Sequence, residues 1–513
     1  MTNTFTSAGS GNRLSRRTAL RLLGGAGAVA ALAGCQVQVT PDTGTGGSAP
    51  AIQLPDSKAK LPTEDITFRW LDGGGNRQLF QKPLFTAYQS KHPNIKVQYD
   101  ATNMDTVNET IPLGVRNGTA PDVFAIGNKI EHRTAIEAGW CQPIEDLVPD
   151  FAAWKAGFPE EAFVPNVHVF DGLVYSFPIT GSGEITEMMI TNTALLEQAG
   201  IDPARDLQTW DQFRAAAKKA TETGKGSFYG LMNSRTPVKI ADGLLSTVGF
   251  QAGLDLRTGE YAYSSDDVGD VVDLLLGIHA DGSFWPDFAG ISAADARGRM
   301  PNNVAALQVD GPYSIAEWEQ ADFAFGMGLM PTREAGQSYT CSYGFADGSN
   351  VFVFAKAKYP EVAGDLFSYI GSLDGQTQVV LQSGGALLPA IPAAQQKATE
   401  AGAAIDPNFV TVRTLSEQVM RVGPDPAVRN PDISKVAPTP VKPGWSDLLG
   451  GMLTGQVTDI RAELRKLDDQ LNKNLDEAIS KATRAGAKVS RDDYVFGNWD
   501  QAKDYTKADY DAL

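Results

Sequence analysis

The chain has 513 residues and a formal charge of −17, with 42% hydrophobic and 20% charged residues. Its length allows two or three domains with a large core, and its composition is that of a globular rather than a disordered protein. The strong negative charge argues against nucleic acid and other polyanionic partners.

The first 34 residues have the pattern of an export signal. Arg16 and Arg17 precede a weakly apolar run, 19–33, which is typical of a Tat-type signal peptide and too short for a convincing membrane span. The run ends in Leu-Ala-Gly-Cys, which resembles the lipobox of bacterial lipoproteins. Cys35 is therefore predicted to be lipidated and to become the mature N-terminus, with an accidental cysteine behind an ordinary signal peptide as the alternative.

Removal of residues 1–34, which contain four arginines and no acidic residue, would take the formal charge to −21. The protein is predicted to be exported and tethered by lipid to the outer face of the cell membrane, in an extracellular or periplasmic space. Residues 36–63 are rich in Gly, Pro, Ser and Thr, so we expect a flexible linker that lifts the folded body off the membrane.

The remaining cysteines and the histidines give no metal-binding pattern. Cys141 and Cys341 could pair in an oxidising compartment or stay as two separately buried thiols. The four histidines lie far apart, and no HExxH or phosphate-loop motif occurs. We therefore expect neither a metal site nor a cofactor.

The fold is predicted to begin with a βαβ unit and hence a parallel sheet. A strand over 66–71 ends in Asp-Gly-Gly-Gly-Asn, a helix follows over 79–92, and a second strand covers 95–99. The pattern then predicts a strand over 120–126, a helix over 130–139 and a short strand that leaves through Pro178.

From Glu184 onwards strands and helices alternate again. The pattern predicts a strand over 187–191, a helix over 193–199, and a helix to Gly224 that opens with Thr209 as N-cap and Gln212 three residues later. A strand over 304–309 ends at a Gly-Pro turn that carries Tyr313, at the sheet edge where open α/β sheets present ligands.

The last third of the chain continues the α/β pattern and then becomes helical. It predicts strands over 323–331 and 351–355, helices over 358–369 and 375–382, and an amphipathic helix over 457–485 that docks on a domain. The tail 494–513 is aromatic and acidic, and the sequence assigns it no role.

Five short motifs occur in the order known from one family. They are P-D-V-F at 121–124, G-L-V-Y-S-F-P at 172–178, T-W-D-Q-F at 209–213, A-A-L-Q-V-D-G-P-Y at 305–313 and A-K-Y-P-E-V-A at 357–363. Together with the lipobox they resemble the extracellular solute-binding proteins of bacterial ABC importers, in the sugar-binding family that includes maltose-binding protein. The resemblance covers about residues 64–485. Tyr313 departs from the family's commoner tryptophan, which leaves the flatness of the stacking surface open.

The resemblance implies an α/β, two-lobed periplasmic-binding-protein-like fold with discontinuous domains joined by a hinge. Lobe 1 would combine 64–178 with 349–395, and lobe 2 would combine 179–348 with 396–513. The chain would cross between the lobes near 177–181, 343–349 and 391–405. The implied protein is a monomer that captures a solute, favoured to be a mono- or oligosaccharide, by hinge closure and delivers it to the importer's permease.

A sugar presents C–H faces to aromatic rings and hydroxyl groups to carboxylates and amides. Side chains of these types at strand ends, crossings and turns are predicted to contact the ligand: Trp70, Asp72, Asn76, Asp122, Asn128, Tyr175, Trp285, Tyr313, Tyr343 and Trp445. Stacking is expected of Tyr175, Tyr313 and Trp445, and hydroxyl binding of Asp122. Each of these residues could instead belong to the core or to the outer surface.

Two other functional classes remain open. A secreted polysaccharide-active enzyme would need paired carboxylates, which the composition permits, but no nucleophile elbow or metal motif supports it, so no catalytic residue is assigned. A surface sensor or adhesion module could reuse the same fold. Polyols, glycerol phosphates and peptides also stay open as ligands, whereas the negative surface disfavours anionic ones.

Overall fold

The computed structural model describes residues 49–513, except residues 128, 131, 160–161, 251–252 and 344–349. The predicted export signal, Cys35, the first part of the linker and Asn128 lie outside the described residues.

The strands of the described chain are short and are spread over its whole length. In chain order they are β1 (Ile66–Asp72), β2 (Ile95–Ala101), β3 (Val123–Phe124), β4 (Cys141–Gln142), β5 (Val169–Phe170), β6 (Leu173–Val174), β7 (Met188–Asn192), β8 (Tyr229–Met232), β9 (Leu254–Asp255), β10 (Glu260–Tyr261), β11 (Ala305–Asp310), β12 (Phe325–Gly328), β13 (Cys341–Tyr343), β14 (Phe352–Phe354) and β15 (Met420–Val422).

Helices alternate with these strands and then dominate the C-terminal part. They are α1 (Arg77–Lys91), α2 (Met104–Asn117), α3 (His132–Glu137), α4 (Phe151–Lys155), α5 (Thr193–Ala199), α6 (Pro203–Asp206), α7 (Trp210–Gly224), α8 (Val238–Ser246), α9 (Asp266–Ala280), α10 (Ala293–Arg299), α11 (Ile315–Gln320), α12 (Pro360–Ile370), α13 (Leu373–Ser383), α14 (Ala393–Glu400), α15 (Pro407–Val419), α16 (Pro426–Arg429), α17 (Trp445–Leu453), α18 (Ile460–Arg484) and α19 (Lys507–Asp511).

The first sheet contains the predicted βαβ unit. Strands β1 and β2 pair in parallel with Ile66 opposite Ile95, and α1 connects them, which confirms the prediction. The strand order is β2-β1-β3-β14-β4, with β14 antiparallel to both of its neighbours. A hydrophobic core with residues from 52–179 and 351–391 packs around this sheet, so two distant parts of the chain build one body.

The second sheet has the order β12-β7-β11-β8. Strand β11 is parallel to β8 and antiparallel to β7, so β8 and β11 end at the same edge. The main hydrophobic core around the second sheet contains residues from 189–330 and 448–467. Helix α7 begins with the predicted capping box, in which the Thr209 and Gln212 side chains each accept a hydrogen bond from the other's backbone N–H. The residue limits of the two lobes stay a prediction.

Segments that cross between the two sheets run side by side. The Gly181 N–H donates to the Leu388 carbonyl at 2.8 Å. A Cβ atom at Gly181 would lie 2.6 Å from the Pro389 carbonyl oxygen, so the close approach of the two segments requires glycine here. Of the crossing predicted at 343–349, the structure describes Tyr343, the last residue of β13, which pairs in parallel with β15.

The second half of the predicted linker is held against the first core. Ile52 is 8% exposed and belongs to that core. The Ser57 hydroxyl donates to Asp365 Oδ1 at 2.5 Å, and Lys91 Nζ donates to the Leu54 carbonyl at 2.9 Å. Composition alone predicts a flexible linker here, but a few apolar residues among the prolines bind this segment to the body. Within the described part of the predicted linker, the segment around Ile52 and Ser57 is therefore bound to the body.

Substitution of Ile52 by alanine tests this docking. We expect the free energy of unfolding to fall by about 2–4 kcal/mol, because a buried side chain is replaced by a cavity. Urea denaturation of residues 36–513 measures the change. Gln53→Ala is the control, since its side chain is exposed and should shift the free energy by less than about 0.5 kcal/mol. Equal effects of the two substitutions would mean that the segment is undocked in solution.

The C-terminal tail packs against β15. Phe496, Trp499 and Tyr505 form a buried aromatic cluster. The Tyr505 N–H donates to the Val422 carbonyl at 2.8 Å, and the Val422 N–H donates to Asp504 Oδ1 at 2.8 Å. The tail, whose role the sequence pattern did not indicate, therefore holds β15 and, through it, the neighbouring strand β13.

Helix α18 docks as predicted. Leu464 and Leu467 enter the second core, and Leu475 and Ile479 form a smaller cluster with Tyr494. Among the helices of the described ranges, none combines the length and apolar character that a membrane span requires.

Candidate ligand-binding site

A pocket of about 430 Å³ lies where the first crossing segment enters the second sheet. Its walls come from residues 181–187 and 341–343, with Ser246 and Met420. We call it the crossing pocket. Its volume falls in the range of about 300–1,000 Å³ that is usual for small-molecule sites. Hydroxyl and carboxylate groups line it, from Ser182, Glu184, Thr186, Glu187, Ser246, Ser342 and Tyr343.

The Tyr343 ring lies against the backbone of Gly183. A Cβ atom at Gly183 would be 3.0 Å from Tyr343 Cζ, and the glycine has a φ of +96°. Both the space and the left-handed backbone conformation therefore favour glycine. Tyr343 ends β13, which β15 holds by parallel pairing, so this wall of the pocket depends on a two-stranded ribbon.

Glu184 brings a buried carboxylate to the pocket. Its Oε1 atom is buried and has no hydrogen-bond partner among the residues that the structure describes. Arg413 of α15 faces it and donates from Nη2 to the Gly385 carbonyl at 2.9 Å. Burial raises the pKa of Glu184 to about 7, and the positive charge of Arg413 opposes this rise. Burial also lowers the pKa of Arg413, while Glu184 and Glu417 oppose the change.

The raised pKa of Glu184 predicts how stability depends on pH. The folded state binds a proton more tightly than the unfolded state, so the free energy of unfolding should decrease as the pH rises from about 4.5 to 7. We expect this group to contribute a decrease of about 2–3 kcal/mol over that window. Urea denaturation at a series of pH values measures it.

A matched pair of variants isolates the contribution of Glu184. Glu184→Gln should flatten the pH dependence between about pH 4.5 and 7, because the amide does not titrate. Glu417→Gln changes the other acidic residue that faces Arg413 and should leave the dependence in place. An unchanged pH profile in Glu184→Gln would contradict the assignment.

A group of charged side chains surrounds Tyr313 beside the crossing pocket. Lys239 Nζ and Arg297 Cζ each lie 4.9 Å from the centre of its ring. Lys239 also pairs with Glu187 at 3.4 Å, and Arg297 binds Asp310 through Nε at 2.9 Å and Nη2 at 3.4 Å. We call these five residues the Tyr313 cluster. Tyr313 is 39% exposed, but two cations already lie against its ring.

Trp445 lies near this cluster at the start of α17. Its Nε1 donates to Asp242 Oδ1 at 3.3 Å, and its ring centre lies 5.2 Å from that of Tyr263. Burial raises the pKa of Asp242 to about 6, with the Trp445 hydrogen bond opposing and Glu187 adding to the rise. The indole therefore packs along the rim of the second core and is only partly accessible.

The predicted residues of the first strand lie in the protein interior. Trp70 and Asp72 are both fully buried. The Asp72 carboxylate accepts hydrogen bonds from Trp70 Nε1 at 3.0 Å, the Gly74 N–H at 2.8 Å, Gln81 Nε2 at 2.8 Å and the Tyr99 hydroxyl at 3.0 Å. These bonds satisfy the carboxylate inside the protein. In this structure both residues therefore belong to a buried hydrogen-bond network, and their contact with a ligand stays a prediction.

The other predicted residues lie apart from the crossing pocket. Asn76 is the partly exposed N-cap of α1. Asp122 Oδ2 accepts from the Arg69 N–H at 2.8 Å, and burial raises its pKa. Tyr175 packs its ring 5.7 Å from Phe170, and Arg299 lies 5.0 Å from the ring of Trp285. Of the predicted residues that the structure describes, it places Tyr343 in the pocket wall and Tyr313 and Trp445 nearby. Ligand contact by any of them stays a prediction.

Sequence reasoning missed most polar groups of the site. Glu184 and Glu187 follow the predicted crossing directly, so their position in the sequence is a signal for the site. Lys239 and Arg297 offered none, because their place beside Tyr313 depends on how α8 and α10 pack. Within the described ranges no group of three His, Cys, Asp or Glu residues could hold a metal ion. Cys141 and Cys341 are separate thiols, and Cys341 lines the crossing pocket.

The chain is similar to known bacterial solute-binding proteins. The model of a family described as bacterial extracellular solute-binding protein matches residues 84–409. The GacH receptor of Streptomyces glaucescens, solved unliganded and with acarbose, is 17% identical with a TM-score of 0.58, covering 80% of this chain and 98% of that one. No curated protein matches the chain.

Two further solved structures show the same similarity. A solute-binding protein of an ABC transporter from Thermotoga lettingae, bound to α-D-tagatose, is 22% identical with a TM-score of 0.58. The maltose/maltodextrin-binding domain MalE from Bdellovibrio bacteriovorus, bound to maltotriose, is 16% identical with a TM-score of 0.57. Each match covers 80% of this chain and 99% of the other. The predicted α/β fold with two discontinuous lobes joined by a hinge is thereby confirmed.

Proposed function

Because the chain belongs to the bacterial extracellular solute-binding protein family, we propose that it captures a carbohydrate for an ABC importer. A mono- or oligosaccharide would bind between the lobes, and hinge closure would bury it. The closed form would then deliver the sugar to the permease subunits. Lipidation at Cys35 would hold the monomeric protein at the outer face of the cell membrane, and the binding protein itself would leave the sugar unchanged.

The observation that carries this proposal is the chemistry of the crossing pocket. It combines hydroxyl groups, two carboxylates and a tyrosine side chain at the point where the chain passes between the sheets. Carboxylates accept hydrogen bonds from sugar hydroxyls, and an aromatic ring covers apolar C–H groups. A wall built from a crossing segment also moves when the lobes close, which couples binding to hinge motion.

A thermal-shift screen of residues 36–513 against mono-, di- and oligosaccharides tests the proposal. A sugar that binds the native state raises the melting temperature by mass action, by an amount that grows with its concentration. Chromatography of the incubated sugar should return it unchanged. A sugar that is cleaved would instead indicate a secreted enzyme, and no shift with any sugar would exclude carbohydrate capture.

Cys341 reports whether the bound sugar occupies the crossing pocket. Its thiol is partly buried in the pocket wall, and burial raises its pKa to about 11. A sugar from the screen should slow alkylation of Cys341 by a small maleimide. Cys141 is the internal control, because it is only 6% exposed and lies in the first sheet. Unchanged alkylation of Cys341 with saturating sugar would place the binding site elsewhere.

A further inference from the structure

A second, smaller cavity adjoins the Tyr313 cluster. It measures about 140 Å³ and lies at the edge where β8 and β11 both end. Lys239 and Asp310 of the cluster line it. Lys239 pairs with Glu187 at 3.4 Å, and Glu187 lines the crossing pocket, so this ion pair joins the walls of the two spaces. We call this space the amide cavity.

Two buried amide side chains line the amide cavity. Asn233 is 9% exposed, and its Nδ2 has no hydrogen-bond partner among the described residues. Its Oδ1 accepts from the Ser234 N–H at 2.8 Å, which fixes Nδ2 as the remaining donor. Gln308 is 5% exposed, and its Oε1 likewise has no partner within the described chain. The cavity thus contains one unused donor and one unused acceptor, and both are costly to bury unpaired.

The rest of the cavity wall combines apolar side chains with polar groups that already have partners. The hydroxyls of Ser234 and Thr236 lie 3.3 Å apart, and Lys239 Nζ donates to the Thr186 carbonyl and to Glu187. Met232, Ile240, Ala296 and Val309 line the cavity, and each is at most 6% exposed. The Asp310 carboxylate is already paired with Arg297 and accepts the Gly311 N–H. The complementary ligand group is therefore neutral, with one acceptor, one donor and a small apolar part. At about 30 Å³ for each water-sized group, the cavity has room for four or five such groups.

We propose that the amide cavity receives the acetamido group of an N-acetylated amino sugar. The acetamido carbonyl would accept from Asn233 Nδ2, its N–H would donate to Gln308 Oε1, and its methyl group would contact Ala296 and Val309. The sugar ring would lie towards the crossing pocket, whose hydroxyl and carboxylate groups bind its hydroxyls. This inference rests on the proposed carbohydrate capture and names its substrate class.

The position of the cavity favours a sugar over a peptide as the source of this amide. A peptide places amides along an extended backbone, and its binding site needs a row of such donors and acceptors. Here the amide pair is single, and the adjoining pocket presents hydroxyls and carboxylates. A blocked dipeptide, N-acetylalanine methylamide, therefore serves as the competing ligand in the test.

The test is isothermal titration of residues 36–513 with N-acetylglucosamine and its β1,4-linked dimer and trimer. Glucose, glucosamine and cellobiose are the matched sugars without the acetamido group. We expect the acetylated sugars to bind at least about tenfold more tightly than their matched partners, as the hydrogen bonds of the amide predict. Equal affinities would overturn the acetamido inference and leave carbohydrate capture standing. Binding of the dipeptide alone, or of none of these compounds, would also overturn the acetamido inference, and the thermal-shift screen with the other sugars would then decide whether carbohydrate capture stands.

Three substitutions connect the preference with the cavity. Gln308→Met removes the acceptor, and Asn233→Asp removes the donor while keeping the bond to the Ser234 N–H. Each should reduce the preference for the acetylated sugar by about tenfold with little effect on cellobiose. Ala296→Val narrows the cavity without removing a polar group and should act in the same direction.

Gln395→Met is the matched control for these variants. Gln395 also carries a buried amide oxygen with no partner in the described chain, but it lies on α14, away from the cavity. Circular dichroism identifies any variant that fails to fold. If both amide variants fail to fold, Ala296→Val still tests the proposal. A preference that survives all three substitutions would show that the acetamido group binds elsewhere.

Discussion

Replacement of Arg297 by methionine is expected to lower the free energy of unfolding by about 3–5 kcal/mol. The Asp310 side chain is 3% exposed, and Arg297 supplies the positive charge that it pairs with at 2.9 Å. Removal of one partner of a buried ion pair leaves the other charge uncompensated, which costs far more than the pair contributes. The methionine retains most of the apolar stem, so the effect is chiefly electrostatic. Urea denaturation of residues 36–513 at pH 7 measures it.

Arg299→Met is the matched control on the same helix. Arg299 is exposed and contacts the ring of Trp285, so its loss should change the free energy by less than about 1 kcal/mol. Asp310→Asn in the Arg297→Met background removes the stranded charge and should restore part of the lost stability. A loss below about 1 kcal/mol in Arg297→Met, or no recovery in the double variant, would contradict the role of the pair.

The same pair has a consequence for the candidate site. Asp310 ends β11, and its carboxylate accepts from the Gly311 N–H, so it shapes the turn that presents Tyr313. The turn was recognisable in the sequence, because an apolar strand, Asp-Gly-Pro and a helix start follow one another. The two cations that lie against the Tyr313 ring could not be recognised in the sequence, and they change the interpretation of this residue. Its ring, predicted as a stacking surface, is already partly covered by the protein.

Local sequence patterns predicted those structural elements that are determined by residues close together in the sequence. The βαβ unit, the capping box at Thr209 and the docked stripe of α18 are examples, because each needs only periodicity or a short motif. The burial of Trp70 and Asp72 could not be predicted in this way. An aromatic residue and an aspartate at a strand end suit a sugar site, but they equally suit a buried network. The contacts of Asp72 with Gln81 and Tyr99, which no local pattern predicts, form such a network here.

The crossing pocket was harder to predict, because its walls come from distant parts of the chain. Glu184 meets Arg413, and Tyr343 meets Gly183, only after both sheets and α15 have formed. The pairing of β13 with β15 joins a strand inside the family match to one beyond residue 409, where that match ends. The part of the chain that lies outside the family model therefore supports a wall of the candidate site.

Removal of residues 496–513 should therefore have a large effect on the wall of the crossing pocket. The Val422 carbonyl and N–H would lose their partners, the Tyr505 N–H and the Asp504 carboxylate, and the aromatic cluster of Phe496, Trp499 and Tyr505 would be lost. We expect β15 to lose its contacts with the tail and β13 to become mobile. Cys341, the first residue of β13, should then react with maleimide at least about tenfold faster, whereas Cys141 should keep its rate.

Two point variants distinguish a local effect of the tail on the pocket wall from destabilisation of the whole protein. Tyr505→Ala deletes a ring that is 6% exposed and should cost about 3–5 kcal/mol, with faster alkylation of Cys341. Lys507→Ala removes an exposed surface pair and should change neither quantity. If Cys141 accelerates together with Cys341, the whole protein has loosened rather than the ribbon. If the truncated chain keeps the original Cys341 rate, β13 and β15 hold the pocket wall without the tail, and the tail has no role in the candidate site.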